Sequence, residues 1–363
     1  KAALSSFDII GFSLTNELCY TNVLNILDLA KIPLRSKDRS EEHPLIIAGG
    51  GMANCSQPVA DFIDLFVIGE AEVAITQIAE TIIQCRKQQL AKNQTLKILA
   101  HKYDFVYVPR FYRFEYTNSK IKSFSSTQPD LPTEFNNAVV KDFDAVPTIT
   151  KPIVPFVQAV QEKVSVEVMR GCPGRCLFCQ ASFCRRPIRY RSPEKILETA
   201  KTAYANSGFD TVSLLSLSTA DYPDLAHITT QLHAYFKDKN VGHPLPPLKV
   251  DQQLKNLPEL LTSVRKSGLT IAIEAADQQI RNIVNKPIKD SDLFPAVEAA
   301  FQQGWQKIKL YFMVGLPGET EDDIKKIVKM SYDLGMLRKK YSKHPATINA
   351  AISWLVPKPH TPL

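Results

Sequence analysis

RGCPGRCLFC, residues 170–179, is the stretch on which the reading of this chain turns. It follows directly on an apolar, strand-like run, VSVEVM (164–169), and places Cys172, Cys176 and Cys179 in a C-x3-C-x2-C spacing. Pro173 and Gly174 oppose helix at that point, so the segment is free to curl around a bound group. Thiolates are soft ligands that select iron–sulfur clusters or zinc. Three readings follow: metal-free cysteines in a small loop, zinc with Cys184 as fourth ligand, or a [4Fe–4S] cluster on three thiolates with one iron left open. Zinc structural sites favour two separated ligand pairs, and a site closed by Cys184 would be cramped. The three-thiolate cluster is the leading reading, and an open iron marks a cluster that does chemistry.

Working outward from the cysteines, strand-like and helix-like stretches alternate. After 164–169 come TVSLLSL (211–217), LKVDQQL (248–254), LTIAIEA (269–275), KIKLYFMVG (307–315) and TINAAISWLV (347–356). Helical patterns separate them, such as 193–208 and 319–335, each ending in the glycine expected of a C-cap. Six strand–helix units predict an α/β fold of the partial (β/α)6 TIM type over 156–363. Residues 1–90 carry another alternation. FDIIGFSL (7–14), PLIIAGGG (44–51) and IDLFVIGE (63–70) read as strands. One helix has Val23, Leu24, Leu27 and Ala30 on a face, and another has Ile75, Ile78, Ala79, Ile82 and Ile83. Strands ending in glycine and followed by helices predict a doubly wound, Rossmann-like fragment. Between the two, 91–155 reads as a hairpin with its turn at 117–119, then a proline-bearing linker.

Composition narrows the function classes. At 363 residues, 44% hydrophobic and 22% charged, the chain has material for more than one core and is not disordered. No apolar run reaches the ~18 residues of a spanning helix. Seven cysteines, four of them between 172 and 184, do not form a secreted disulfide framework, and the expected compartment is the cytoplasm. Residues 1–90 carry 7 basic and 11 acidic side chains, net −4, whereas the remainder carries 37 and 26, net +11. That balance suits an anionic substrate, with nucleic acid as an alternative partner. The start at Lys1 and the stop after VPKPHTPL suggest a fragment at both ends.

C-x3-C-x2-C with an aromatic residue, Phe178, before the last cysteine, at the first strand of such a unit, resembles the radical SAM superfamily. The resemblance implies that Cys172, Cys176 and Cys179 bind three irons of a [4Fe–4S] cluster and that S-adenosylmethionine chelates the fourth. Electron transfer then breaks the S–C5′ bond, leaving methionine and a 5′-deoxyadenosyl radical that abstracts hydrogen from substrate. A flavodoxin- or ferredoxin-type electron donor is implied. No catalytic residue beyond the cluster ligands is assigned.

Further positions match more loosely. Ser216 and Ser218, in Ser216-Leu217-Ser218-Thr219, stand where the family often has a Gly-Gly-Glu for the SAM amino group. Asp221 is a helper there, and a helix cap is the alternative role. Glu274 ends a strand where a ribose contact is common, and a Glu closing an apolar run needs a partner in any case. Gly315 and Gly318 resemble the glycine-bearing adenine loop, or form a plain strand-to-helix turn. Arg185, Arg186, Arg189, Arg191 and, further on, Arg281 are candidates for a carboxylate.

The N-terminal piece resembles the second half of a cobalamin-binding domain. Ser13 and Thr15 flank Leu14 at one strand end, Gly49 and Gly50 end the next, and Gly69-Glu70 end the third. Small residues there would make room for the cobalamin tail, and a Rossmann-like domain that binds no cobalamin is the alternative. An Asp-x-His-x-x-Gly loop, which would lie upstream of Lys1, is not in the sequence. The strings GFSLTNELCYTNVLNILDLAKIPL, IEAADQQIRNIVNK, LYFMVGLPGETEDD and WLVPKPHTP resemble a bacterial subfamily of radical SAM proteins with a cobalamin-binding-like domain. Methylthiotransferases are related at the level of the barrel, but Cys19, Cys55 and Cys85 are too far apart to form a second three-cysteine set. The expected function is hydrogen abstraction from an unknown substrate or cobalamin-assisted methylation. RNA or ribosome modification, and a metal-stabilised adaptor without catalysis, are the alternatives.

Overall fold

The computed structural model describes residues 2–118, 120–157, 159, 162–242 and 269–363. The chain divides into two compact units, Lys1–Asp142 and Phe143–Leu363. Among the described residues no helix is long and apolar enough to cross a membrane.

The first unit is built on β1 (Ile9–Ser13), β2 (Leu45–Gly49) and β3 (Leu65–Val67), parallel and in that order, with β4 (Val106–Tyr107) antiparallel at the edge. Leu45, Ile46, Ile47 and Ala48 are all buried, as the continuous apolar run of a strand covered on both faces should be. The helices are α1 (Cys19–Leu29), α2 (Ala71–Lys87) and α3 (Lys92–Lys102). In α1 the buried positions are Val23 and Leu27. In α2 the buried stripe is Ala74, Ile78, Ile82 and Cys85, while Ile75 and Ile83, expected on the inner face, are exposed. The helix is rotated by about one residue from that expectation, with Ala74 on the buried side. The described strands proceed across the sheet in one direction, without the reversal of order that defines a doubly wound sheet.

An antiparallel pair follows, β5 (Tyr112–Thr117) with β6 (Lys120–Ser126). Ser119 of the expected turn lies outside the described residues. Tyr107, Tyr112, Phe124 and Phe135 pack ring to ring at 5.1–6.5 Å, joining this pair to β4.

In the second unit β7 (Val164–Glu167) pairs in parallel with β10 (Val212–Leu215). A separate parallel sheet holds β11 (Leu269–Glu274), β12 (Lys307–Val314) and β13 (Thr347–Trp354). The expected strand 248–254 lies outside the described residues, so the described strands form two sheets and not one continuous wall. A short antiparallel clasp joins β8 (Met169–Arg170) to β9 (Arg189–Tyr190). The helices are α4 (Gln180–Cys184), α5 (Pro193–Ser207), α6 (Leu225–Phe236), α7 (Gln278–Ile283), α8 (Asp290–Gln302) and α9 (Glu321–Leu337).

Strand periodicity decides which face meets the helices. Leu269, Ile271 and Ile273 of β11 and Ile308, Leu310, Phe312 and Val314 of β12 are buried against α8 and α9 residues such as Val297 and Leu334. The alternate residues lie on the other face. Gly208 caps α5 in the left-handed region at φ 70°, as expected. Gly335 does not end α9, which runs on to Leu337. A Cβ there would lie 3.2 Å from Ile348 Cγ1, so the glycine lets the helix lie close on β13.

Candidate active site

The cysteine segment leaves β8 and returns to β9, so the clasp between these strands closes the base of a loop spanning 171–188. Gly171 begins the loop at φ 85°, and a Cβ there would lie 2.7 Å from the Arg185 carbonyl, which leaves glycine as the residue that fits. Arg186 ties the loop internally, donating from Nη2 to Gly174 O at 3.2 Å and from Nε to Ser182 O at 2.8 Å. Arg191 is buried, with its guanidinium 4.3 Å over the Phe143 ring and its donors on Glu167 O and Val146 O. Arg189 Nε reaches Pro187 O. Arg186 and Arg191 therefore hold the loop and its base.

Cys172, Cys176 and Cys179 all face one cavity of about 490 Å³, together with Phe178, Ser218, Glu274 and Lys286. Burial pushes the Cys176 thiol up, opposed by the nearby Lys286 ammonium. A Cβ on Gly174 would lie 3.4 Å from Cys172 Sγ and 3.9 Å from Cys176 Sγ, so the glycine leaves open the space these two sulfurs face. That opening and an all-thiolate donor set fit an iron–sulfur cluster. No three His, Cys, Asp or Glu side chains among the described residues are grouped tightly enough for a single ion. Three thiolates that each take a different iron need no such convergence.

The opposite wall is the loop after α7. Val284 O accepts from Leu177 N at 3.0 Å, and Asn285 Nδ2 donates to Arg175 O at 2.8 Å, so this loop grips the cysteine segment at two points. Arg281 organises the loop from beneath. Fully buried, it donates from Nη1 to Ala275 O and Ala276 O at 2.8 and 2.9 Å, from Nε to Ile288 O at 2.8 Å, and from Nη2 to Asp290. Its donors face the protein's own backbone and not the cavity.

Glu274 reaches the cavity through a local distortion. The pairing of β11 with β12 shifts register between Ala272 and Glu274, and Glu274 takes φ 74°. A non-glycine residue in that region costs about 1–3 kcal/mol and needs support from its surroundings. The support is an ion pair with Lys286, Nζ to Oε1 at 3.3 Å, with both side chains largely shielded. The need for a partner, anticipated for Glu274, is met by Lys286.

Of the other expected positions, only some reach the cavity lining. Ser216 is in a self-contained turn, its Oγ 2.7 Å from Thr219 Oγ1, and Ser218 Oγ donates to Asp221 Oδ2 at 2.6 Å. Of the two serines, Ser218 lines the cavity. Gly315 and Gly318 both have positive φ in the turn after β12, where Glu319 Oε2 accepts from Gly315 N at 2.6 Å. In the first unit Ser13, Thr15, Gly49 and Gly50 do come together at the carboxyl ends of β1 and β2. Gly50 has φ 90°, and a Cβ there would lie 2.8 Å from Leu14 O. Thr15 Oγ1 lies 3.4 Å from the partly buried Cys19 Sγ, and that contact lowers the thiol's pKa.

Lys286 and Asn285 went unrecognised as site residues in the sequence. Asn285 reaches the cysteine loop across a separation of 110 residues, and nothing local marks it.

Residues 1–109 match the family described as "Radical SAM proteins, N-terminal", and residues 166–331 match the "Radical SAM superfamily". Uncharacterized protein MJ0966 of Methanocaldococcus jannaschii is 26% identical over 366 residues, covering 99% of this chain and 68% of that protein. The radical S-adenosylmethionine methyltransferase TsrM of Kitasatospora setae, solved with cobalamin and a [4Fe–4S] cluster bound, superposes with a TM-score of 0.64 at 12% identity, over 98% of this chain and 63% of its own. The cobalamin-dependent S-adenosylmethionine radical enzyme OxsB, with aqua-cobalamin bound, gives 0.61 at 14% identity, over 99% and 52%. At these identities the two likenesses concern the fold alone.

Proposed function

The chain belongs to the radical SAM superfamily of enzymes, and from that premise we propose that Cys172, Cys176 and Cys179 carry a [4Fe–4S] cluster that cleaves S-adenosylmethionine reductively. The observation that carries this is the convergence of the three cysteines on one cavity, beside the space left by Gly174. When bound, the cluster and SAM supply a 5′-deoxyadenosyl radical for hydrogen abstraction. The chain's own residues shape and shield the site. The loop after α7 fixes the cysteine segment, Phe178 covers one side, and the Glu274–Lys286 pair offers both charges to the amino and carboxylate groups of a bound amino acid. In this reading β7, β10, the segment 248–254 and β11 to β13 form the six strands of a partial barrel, with the cysteines at a strand's carboxyl end. An intracellular electron donor of flavodoxin or ferredoxin type would serve it in the cytoplasm.

A second reading, cobalamin-assisted methylation, is favoured by the small residues gathered at the ends of β1 and β2. Gly50 lets the ends of β1 and β2 lie close together, since a Cβ there would meet the Leu14 backbone. The likeness in fold to TsrM and OxsB agrees with it.

The test uses anaerobically reconstituted protein with SAM and dithionite, reading nucleoside products by mass spectrometry. 5′-Deoxyadenosine that disappears in Cys176→Ala supports the radical reading. S-Adenosylhomocysteine in its place would favour polar methyl transfer and bring cobalamin forward. Neither product from protein with an intact cluster counts against both.

A further inference from the structure

The string WLVPKPHTP (354–362) begins at the last residue of β13 and takes no part in the cavity lining. Leu355 N donates to Val314 O at 2.8 Å, which carries the pairing with β12 one step further, and the chain then turns at 359–361. His360 takes φ 63° in that turn, and Thr361 Oγ1 donates to Lys358 O at 2.7 Å. Val356, Pro357, Pro359 and Pro362 face solvent, whereas Leu355 and Leu363 are tucked inward.

The two leucines seat on a small apolar cluster. Its buried members are Ala275 beyond β11, Ile280 and Val284 in and just after α7, and Met313 and Leu316 in and just after β12. Phe178, between Cys176 and Cys179, packs on the same cluster and also lines the cysteine cavity. It is the side chain through which this packing reaches the cysteines. A second link is direct: Gln180 Nε2 donates to Pro359 O at 3.3 Å. The segment after β13 therefore meets the cysteine loop at both neighbours of Cys179, by shared packing at Phe178 and by a hydrogen bond at Gln180. Pro357, Pro359 and Pro362 restrict this backbone before it folds, so ordering it costs little and two leucines suffice to seat it.

We propose that the segment 355–363 is a brace for the cysteine loop, with Leu363 as its anchor and positioning residue. By closing the apolar cluster around Phe178 it fixes the loop on either side of Cys179. That the braced loop carries a cluster rests on the radical SAM reading; the brace itself does not.

The experiment is hydrogen exchange read by mass spectrometry on the full chain before reconstitution, without iron, SAM or reductant. The reporter is the segment 177–182, where Leu177 N, Cys179 N and Ser182 N donate to Val284 O, Cys176 O and Cys179 O. Helix α5, in the same unit, is the reference. Leu363→Ala should speed exchange in the reporter roughly tenfold, as loss of a partly buried leucine side chain predicts, and leave α5 unchanged. Leu363→Met keeps the apolar volume and should stay within about twofold of wild type. In a Phe178→Ala background Leu363→Ala should add less than about twofold, because the anchor acts through Phe178. A reporter already unprotected in the wild type, unchanged exchange in Leu363→Ala, an equal rise in α5, or effects of the two substitutions that simply multiply would each overturn the brace. Because iron and SAM take no part, these results bear on the brace alone, whereas failure to take up iron on reconstitution bears on the cluster alone.

Discussion

Replacing Arg281 with methionine should loosen the wall that grips the cysteine loop. The guanidinium is fully buried and donates to three backbone carbonyls, Ala275 O, Ala276 O and Ile288 O, as well as to Asp290. Methionine fills similar volume but satisfies none of these acceptors, and it leaves Asp290, about half exposed, to solvent. Breaking a buried charged pair typically costs 3–5 kcal/mol, and solvation of Asp290 puts this case near the lower end, at about 3 kcal/mol. For a unit of this size that lowers the melting temperature on the order of 10 °C. The structural consequence is more specific than the melting shift. Ile288 and the turn at Val284–Asn285 lose their anchor, so the contacts to Leu177 N and Arg175 O weaken. Iron retained per chain after reconstitution and desalting should fall in Arg281→Met and recover in part in Arg281→Lys. Calorimetry and an iron assay read the two effects separately. A variant that melts within 2 °C of wild type and keeps its iron would refute the role assigned to this arginine.

Further predictions concern the cysteine loop and the helices. Cys172→Ala, Cys176→Ala and Cys179→Ala should each abolish the cluster while Cys184→Ala keeps it, and a Cys184 variant without iron would overturn the three-ligand assignment. Gly174→Val should fold yet lose most of its iron, since its side chain enters the space faced by Cys172 and Cys176; full iron content would contradict this. Gly69→Ala in the first unit should destabilise it strongly, because a Cβ would lie 2.4 Å from Ala138 O in a residue at φ 103°, and an unchanged melting curve would be inconsistent with that geometry. Asp323 is held down to about 2, first by Lys326 and then by Thr320 at the start of α9. A depressed carboxylate stabilises above its unfolded pKa, so this contribution is present above roughly pH 4 and fades as the pH falls toward 2. Lys326→Met should move the Asp323 titration upward by NMR, and an unmoved titration would remove Lys326 as the cause.

Much of this was legible in the residues because it is local. The cysteine spacing, the alternating strands and Gly208 as a C-cap depend on neighbours within a turn or two. What escaped depends on distance or on degree. Asn285 and Lys286 act on residues far away in sequence, and only the folded loop shows that they face the cysteines. Arg281 looked like a free cation for a ligand, but the carbonyls that engage it are created by the turn it stabilises. Gly335 read as a helix end because a glycine that stops a helix and one that lets a helix approach a strand look alike in sequence. The inner face of α2 was misplaced because an alanine counted for less than an isoleucine, although Ala74 is buried and Ile75 and Ile83 are exposed.

The central claim is that Cys172, Cys176 and Cys179 hold a cluster with an iron free for SAM. The most direct measurement is electron paramagnetic resonance of the dithionite-reduced, reconstituted chain, with iron quantified on the same sample and SAM added in a second tube. The account predicts about four irons per chain and a [4Fe–4S] signal that changes when SAM binds, in wild type and in Cys184→Ala alike. A fully loaded cluster whose signal SAM leaves untouched, or tetrahedral zinc in place of iron, would contradict it.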